Sequence, residues 1–460
     1  MLGRWLLITA CAVAGTATLL LGRPAALLHQ ATGSAAQYIC SKGFLSGLQP
    51  ADVLRDHLLP EPGMALIAWA LSYDVDRVRR EVRARVFGGF EARSAFREGR
   101  GCTLIYSGYP EPKDLSPAPD IEREADALSS PNVVNPREPR LRAALDRAFS
   151  EPSEGPPRNT QAVVIVHAGR IIAERYARGA GPDTPLLSHS IAKSIVSTLI
   201  GILVRDSKLR LDAPAPVSEW GNDERRSITI EQLLRMSAGF GFDEGGGPSI
   251  ATSIWFTEPD TATVSAEATL RHAPGSTWGY CSRCYMVLSR IIGDVVGRGP
   301  QGVRDFAQRE LFGPLGMERV TLEFDAMGTL MGAHAMFATA RDFARLGLLY
   351  LNGGVVGSRR ILPADWATLV TRPTGQSGYG AGYWLNTTAA KVPEWGIHWG
   401  LSGAPRDAFM ARGYLGQYIV VVPSADLVVV RMGQSHGREA EIASVGEIVR
   451  ETIATLGVQQ

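Results

Sequence analysis

Lysine is nearly missing from this chain. Only Lys42, Lys113, Lys193, Lys208 and Lys391 stand among its 47 basic residues, so arginine meets the routine need for positive charge and each lysine asks for its own reason. No sign of charge dominates, because 47 basic and 46 acidic residues leave a formal net charge of +1. That balance excludes the kind of field that draws a protein to nucleic acid. Internal repeats are lacking. Cysteine is sparse at five residues. The lone Cys281-x-x-Cys284 has no second pair and no histidine cluster beside it, which argues against structural zinc and leaves free thiols or a local disulfide. Nothing in the sequence calls for a cofactor.

Long apolar runs are lacking too, with one exception. Trp5 to Gly22 is uncharged and largely apolar, between Arg4 and Arg23-Pro24. As a helix it would be about 27 Å long, close to the roughly 30 Å of a hydrocarbon core. Residues 1–23 therefore read as a signal or a membrane-anchor helix. Arg4 favours a cytoplasmic N-terminus, with the remainder exported to the periplasmic side of a bacterial inner membrane. Ile8-Thr9-Ala10-Cys11 mimics a lipoprotein cleavage box, but the apolar stretch continues past Cys11, which argues against lipidation. In an oxidising compartment Cys40 and Cys102 are expected to form a bridge, the alternative being two unrelated buried thiols.

With 460 residues the chain is long enough for one large domain and a smaller segment. Residues 24–110 read as an N-terminal extension, mostly helical from Pro50 to Arg97 and without a catalytic constellation. Residues 111–159 are rich in Pro and charge, as in Glu151-Pro152-Ser153-Glu154-Gly155-Pro156-Pro157, and read as a wrapping linker. A hairpin follows, Ala162 to Val166 and Ile171 to Tyr176 around a Gly-containing turn. Helices and loops are expected to fill the middle. Strands return at Ala408 to Ala411, Tyr418 to Val422 and Leu427 to Met432, before a terminal helix from about Glu439 to Leu456. A sheet built from both ends of residues 160–456, with helices between, is an α+β arrangement.

Chemistry concentrates at Ser190-Ile191-Ala192-Lys193, the start of a run that is apolar on nearly every side and so predicts a buried helix. Residues three apart share a helical face, which brings Lys193 within reach of the Ser190 hydroxyl. A serine hydroxyl needs an adjacent base to attack a carbonyl. Lysine can serve after desolvation, whereas arginine stays charged. A lysine merely snorkelling from a buried helix is the bland alternative. Gly433-Gln434-Ser435-His436-Gly437 is a rival, since it fits a Gly-x-Ser-x-Gly elbow between strand and helix. That elbow requires a histidine further along the chain, and none follows His436. Tyr280, in Pro274-Gly275-Ser276-Thr277-Trp278-Gly279-Tyr280 before another apolar helix, is the candidate general base or proton shuttle, or else a core aromatic. His398, between Trp395 and Trp399, is a pocket candidate, with a structural histidine the other reading.

With these motifs the chain resembles the superfamily of serine β-lactamases, D-alanyl-D-alanine peptidases and esterases, in the branch of 6-aminohexanoate-dimer hydrolases and esterases. The resemblance spans roughly residues 160 to 455. Framework stretches carry it as well, among them Ile228 to Gly239, Pro314-Leu315-Gly316-Met317 and Ala340 to Gly347. It implies a β-lactamase/transpeptidase-like fold with a mostly helical subdomain, and a catalytic set of Ser190, Lys193 and Tyr280. It further implies that an oxyanion hole is formed by the backbone N–H groups of Ser190 and Tyr414. The superfamily's strand motif falls on Ala411-Arg412-Gly413-Tyr414, where its leading cation is lost unless Arg412 replaces it. Ser282 stands where penicillin-recognising members carry asparagine. Arg412, Gly413 and Ser282 are thus pocket candidates. The two departures count against β-lactam cleavage and favour a small ester, amide or short-peptide substrate. A peptidase or β-lactamase acting on cell-wall peptides or β-lactams is the alternative, and a non-catalytic peptide or peptidoglycan binder is the alternative of another class.

Overall fold

The structure is a computed structural model that describes residues 25–121, 128–241, 250–387, 391–392 and 396–457. The expected signal or anchor helix, with Cys11, lies outside the described residues, as do parts of the loops after Gly241 and around Lys391. Among the described residues no helix is long and apolar enough to cross a membrane.

The first described element is a helix over residues 25–44, α1. The stretch expected to be mostly helical turns instead into an antiparallel meander: β1 (Leu71–Asp76), β2 (Glu81–Val86), β3 (Phe90–Arg97) and β4 (Gly101–Ile105). Its pattern is period two over a half-buried surface, with Val82, Ala84 and Val86 buried on β2. The many arginines and glutamates that suggest a helix are cross-strand ion pairs here, such as Arg85 with Glu91 at 2.6 Å. Cys40 on α1 and Cys102 on β4 are joined by a disulfide.

The extension docks on the main domain through Glu323. Its buried carboxylate accepts from Ser41 Oγ at 2.7 Å, from Gln37 Nε2 at 3.2 Å and from the Cys102 N–H at 2.9 Å. The segment read as a linker carries a helix of its own, α2 (Pro139–Phe149). A proline at its first turn starts it, and Leu141, Ala144, Leu145 and Ala148 give it a buried face.

The main sheet has six antiparallel strands, formed by β5 (Thr160–His167), β6 (Arg170–Tyr176) and four later strands. Between its two halves come α3 (Ile191–Arg205), α4 (Ser282–Val296) and α5 (Ala340–Leu351). Then follow β7 (Trp384–Leu385), β8 (Phe409–Gly413), β9 (Gln417–Val422), β10 (Leu427–Gly433) and α6 (Arg438–Leu456). The spatial order is β7-β8-β9-β10-β5-β6. Because β10 lies in the centre, between β9 and β5, and is covered on both faces, it is apolar almost throughout. On one face Val428 packs so tightly against α5 that a Cβ on Gly347 would come within 2.5 Å of it. On the other face α6 and α2 pair through Arg147 and Glu447 at 2.6 Å.

The middle of the chain is not only helix and loop. Leu186–Leu187, Met336–Ala338 and Thr321–Leu322 form a small three-stranded sheet. It ties the chain just before α3 to the chain just after Ala333, since the Ser188 N–H donates to the Met336 carbonyl at 2.8 Å.

Candidate active site

Ser190 caps the N-terminus of α3. The sharp entry into the helix is made by His189, held in the left-handed region at φ +45°, a conformation that costs a non-glycine residue free energy and persists only where the surroundings enforce it. Lys193 follows one turn on, 1% exposed. Its ammonium donates to Ser190 Oγ at 2.9 Å and to the Ala333 carbonyl at 2.7 Å. Lys193 Nζ also lies 5.0 Å from the centre of the Tyr280 ring. Tyr280 is buried beside α4 and stacks on Trp384 of β7, centroids 5.8 Å apart. Helix, sheet edge and loop thus converge on one hydroxyl.

Beyond Ser190 runs the end of β8. A Cβ on Gly413 would stand 2.3 Å from the Ser188 carbonyl oxygen, so only glycine lets the strand pass this close to the nucleophile loop. Tyr414 is the next residue, and its side chain points away to donate to Glu61 of the extension at 3.2 Å. Burial raises the Glu61 carboxyl to about 7.

Arg412 does not stand free to replace the missing cation. Its guanidinium lies 3.6 Å over the Trp399 ring, donates to the Tyr418 hydroxyl at 2.7 Å and is paired with Glu441. The likeness that made it a pocket candidate says nothing of these partners. Ser282 is buried at the first position of α4. His398 is exposed, accepts from the Gly400 N–H at 3.1 Å through Nδ1 and does not line the cavity around Ser190. Cys281 and Cys284 form a disulfide across the first turn of α4. Ser435 is spent on architecture: with three backbone carbonyls and Thr160 Oγ1 it surrounds the buried Arg431, accepting from that guanidinium at 2.7 Å.

The cavity above Ser190 holds about 690 Å3. Nearly half its wall comes from the extension, which sequence reasoning passed over as free of site residues. A second layer lies behind it. Lys42 Nζ is 2.7 Å from His57 Nδ1, and the His57 ring stacks on His189 at 5.5 Å. Burial pulls Lys42 down to about 7 and holds His57 and His189 well below the ordinary histidine range, the Lys42 charge adding to both. His334, next to Ala333, is pushed down to about 3 by burial and by the Lys193 charge, and stacks on Trp255 at 4.5 Å. These three rings are therefore neutral, and Lys193 is the one cation touching Ser190 among the described residues. Lys42 was findable, being one of five lysines and two residues from Cys40.

The chain that builds this serine-lysine-tyrosine cluster matches the Beta-lactamase family model over residues 145–451. The chain belongs to the Beta-lactamase family. It is 26% identical over 326 residues to the 6-aminohexanoate-dimer hydrolase of Paenarthrobacter ureafaciens, a match that covers 66% of this chain and 81% of that protein. Among solved structures it is similar to a penicillin-binding protein homologue from Caulobacter crescentus, with a TM-score of 0.53 at 18% identity, over 70% of this chain and 100% of that one. EstCE1, a hydrolase with promiscuous acyltransferase activity, gives a TM-score of 0.53 at 17% identity, over 68% and 97%. The Beta-lactamase family fold is thus shared widely, and this member is a serine hydrolase. The extension up to Ile105 lies outside the matched region.

Proposed function

We propose that this protein hydrolyses an ester or amide bond through an acyl-enzyme on Ser190, with Lys193 and Tyr280 moving the proton. The observation that carries the reading is the Lys193 Nζ to Ser190 Oγ contact of 2.9 Å, with Ser190 on the wall of a cavity. Ser190 Oγ bonds to the substrate carbonyl carbon, and its proton passes to Lys193 in its neutral amine form or to Tyr280 as phenolate. The backbone N–H groups of Ser190 and Tyr414 take the oxyanion. The bond to the leaving alcohol or amine then breaks, and that group departs with the proton. Water cleaves the acyl-enzyme, giving the carboxylic acid and restoring the Ser190 hydroxyl.

Ester and amide cleavage is favoured over action on β-lactams or cell-wall peptides because Arg412 is held by Glu441 and Trp399. Arg412 lines the cavity, but its charge is already countered by Glu441. Hydrolysis also agrees with the name of the 6-aminohexanoate-dimer hydrolase that the chain resembles. Export to the periplasmic side is part of the same proposal, supported by the two disulfides and by the apolar run before Arg23.

Labelling with a fluorophosphonate probe, beside the Ser190→Ala variant, tests it. Labelling and nitrophenyl-ester turnover that both vanish in the variant are the expected result. Equal labelling and turnover of the two proteins would overturn the reading.

A further inference from the structure

The extension is outside the family match, yet it is built into the wall of the cavity. Its contribution is mainly apolar: Leu27, Leu28 and Ala31 from α1, then Leu58, Met64 and Ile67 from the segment before β1. The main domain adds Trp255, Phe256, Trp384 and Trp399 to the lining. Ser190 and Tyr280 open on the same space, so whatever is bonded to the reacting carbonyl continues along this wall.

The apolar surface does not stop at the mouth. Leu27 is 49% exposed and Leu66 79% exposed, and both line the cavity. The Leu66 carbonyl accepts from Trp69 Nε1 at 3.1 Å, and the Trp69 ring lies edge-on to Phe87 at 5.4 Å. Trp69 and Phe87 are themselves exposed. An apolar rim continuous with an apolar channel has a cost in water that a buried hydrocarbon chain would remove.

We infer that the N-terminal extension turns the catalytic cavity into a channel for a long apolar chain, and that the substrate is an ester or amide carrying such a chain. This rests on the proposed Ser190 hydrolase chemistry. The chain emerges between Leu27 and Leu66. The same hydrocarbon is offered by a free ester in solution or by a lipid in a bilayer.

Two series of substrates test it: nitrophenyl esters from acetate to laurate, and alkyl butyrates from methyl to dodecyl. In at least one series kcat/KM of the wild-type protein rises by about fourfold per added methylene, until the cavity is filled. Leu28→Arg and Ile67→Glu flatten that rise, whereas Val78→Arg, on the exposed β1–β2 turn, leaves it as it is. The wild-type slope does not depend on how well any variant folds. Presenting the longest ester in phosphatidylcholine vesicles assigns the source: turnover that increases there and falls in Trp69→Arg marks the bilayer, and turnover confined to the monomeric ester marks solution. Both outcomes keep the channel. Flat or falling series, with turnover still abolished by Ser190→Ala, would overturn the channel and leave the hydrolase standing. Turnover unaffected by Ser190→Ala would overturn the hydrolase reading itself.

Discussion

Lys193 Nζ stands 2.9 Å from Ser190 Oγ and 2.7 Å from the Ala333 carbonyl oxygen. A lysine so placed is free to give up and regain a proton, which a guanidinium is not. Lys193→Arg should therefore lower kcat for an acetate ester by about a thousandfold, and the loss should appear in the acylation burst. A variant within tenfold of wild type would show that Lys193 is not the base.

Tyr280 contributes both a ring and a hydroxyl, and the two are separable. Tyr280→Phe keeps the stack on Trp384 and the face turned to Lys193. We expect the melting temperature to stay within a few degrees while kcat falls by about a hundredfold with little change in KM. Steady-state kinetics beside a thermal melt will tell a proton carrier from a packing residue.

Glu323 makes docking of the extension sensitive to pH. Burial raises its carboxyl to about 7, against the downward pull of Ser41, the Cys102 N–H and Gln37. Between about 4.5 and 7 the folded protein keeps a proton that the unfolded chain has released. Its contribution to stability therefore falls as pH rises through that window and is level above it. Glu323→Gln lacks this titration, so its stability relative to wild type should climb by up to about 3 kcal/mol across the same window. Denaturant melts at several pH values read the slope, and a constant difference between the proteins would refute the assignment.

The Cys40–Cys102 bridge closes a loop with a sequence separation of 62. Removing it with the double change Cys40→Ala and Cys102→Ser should cost about 4 kcal/mol in the chain-entropy picture. The loss should fall on the extension, seen as faster amide exchange in residues 25–105. Turnover of acetate esters should suffer less than turnover of laurate esters.

The hairpin at Ala162 to Tyr176, the returning strands and the helix beginning at Ser190 were legible because each is a buried element with an unbroken apolar signature. Residues 71 to 97 misled, because alternating arginine and glutamate suits a solvated strand face as well as a helix. Only the cross-strand pairs, such as Arg85 with Glu91, decide between them. The partners of Arg412 and the wall provided by α1 were out of reach for another reason. Glu441 lies 29 positions from Arg412, and Tyr414 meets a glutamate 353 positions away. No local pattern reports contacts of that span.

That last contact, between Tyr414 and Glu61, joins two parts of the chain with different tasks. The proposed reacting groups sit on the scaffold common to the family, and nearly half of the proposed substrate surface is a separate cover, pinned at Glu323 and at the strand end. Such a division would let the cover be exchanged, or redesigned, without disturbing the machinery beneath it.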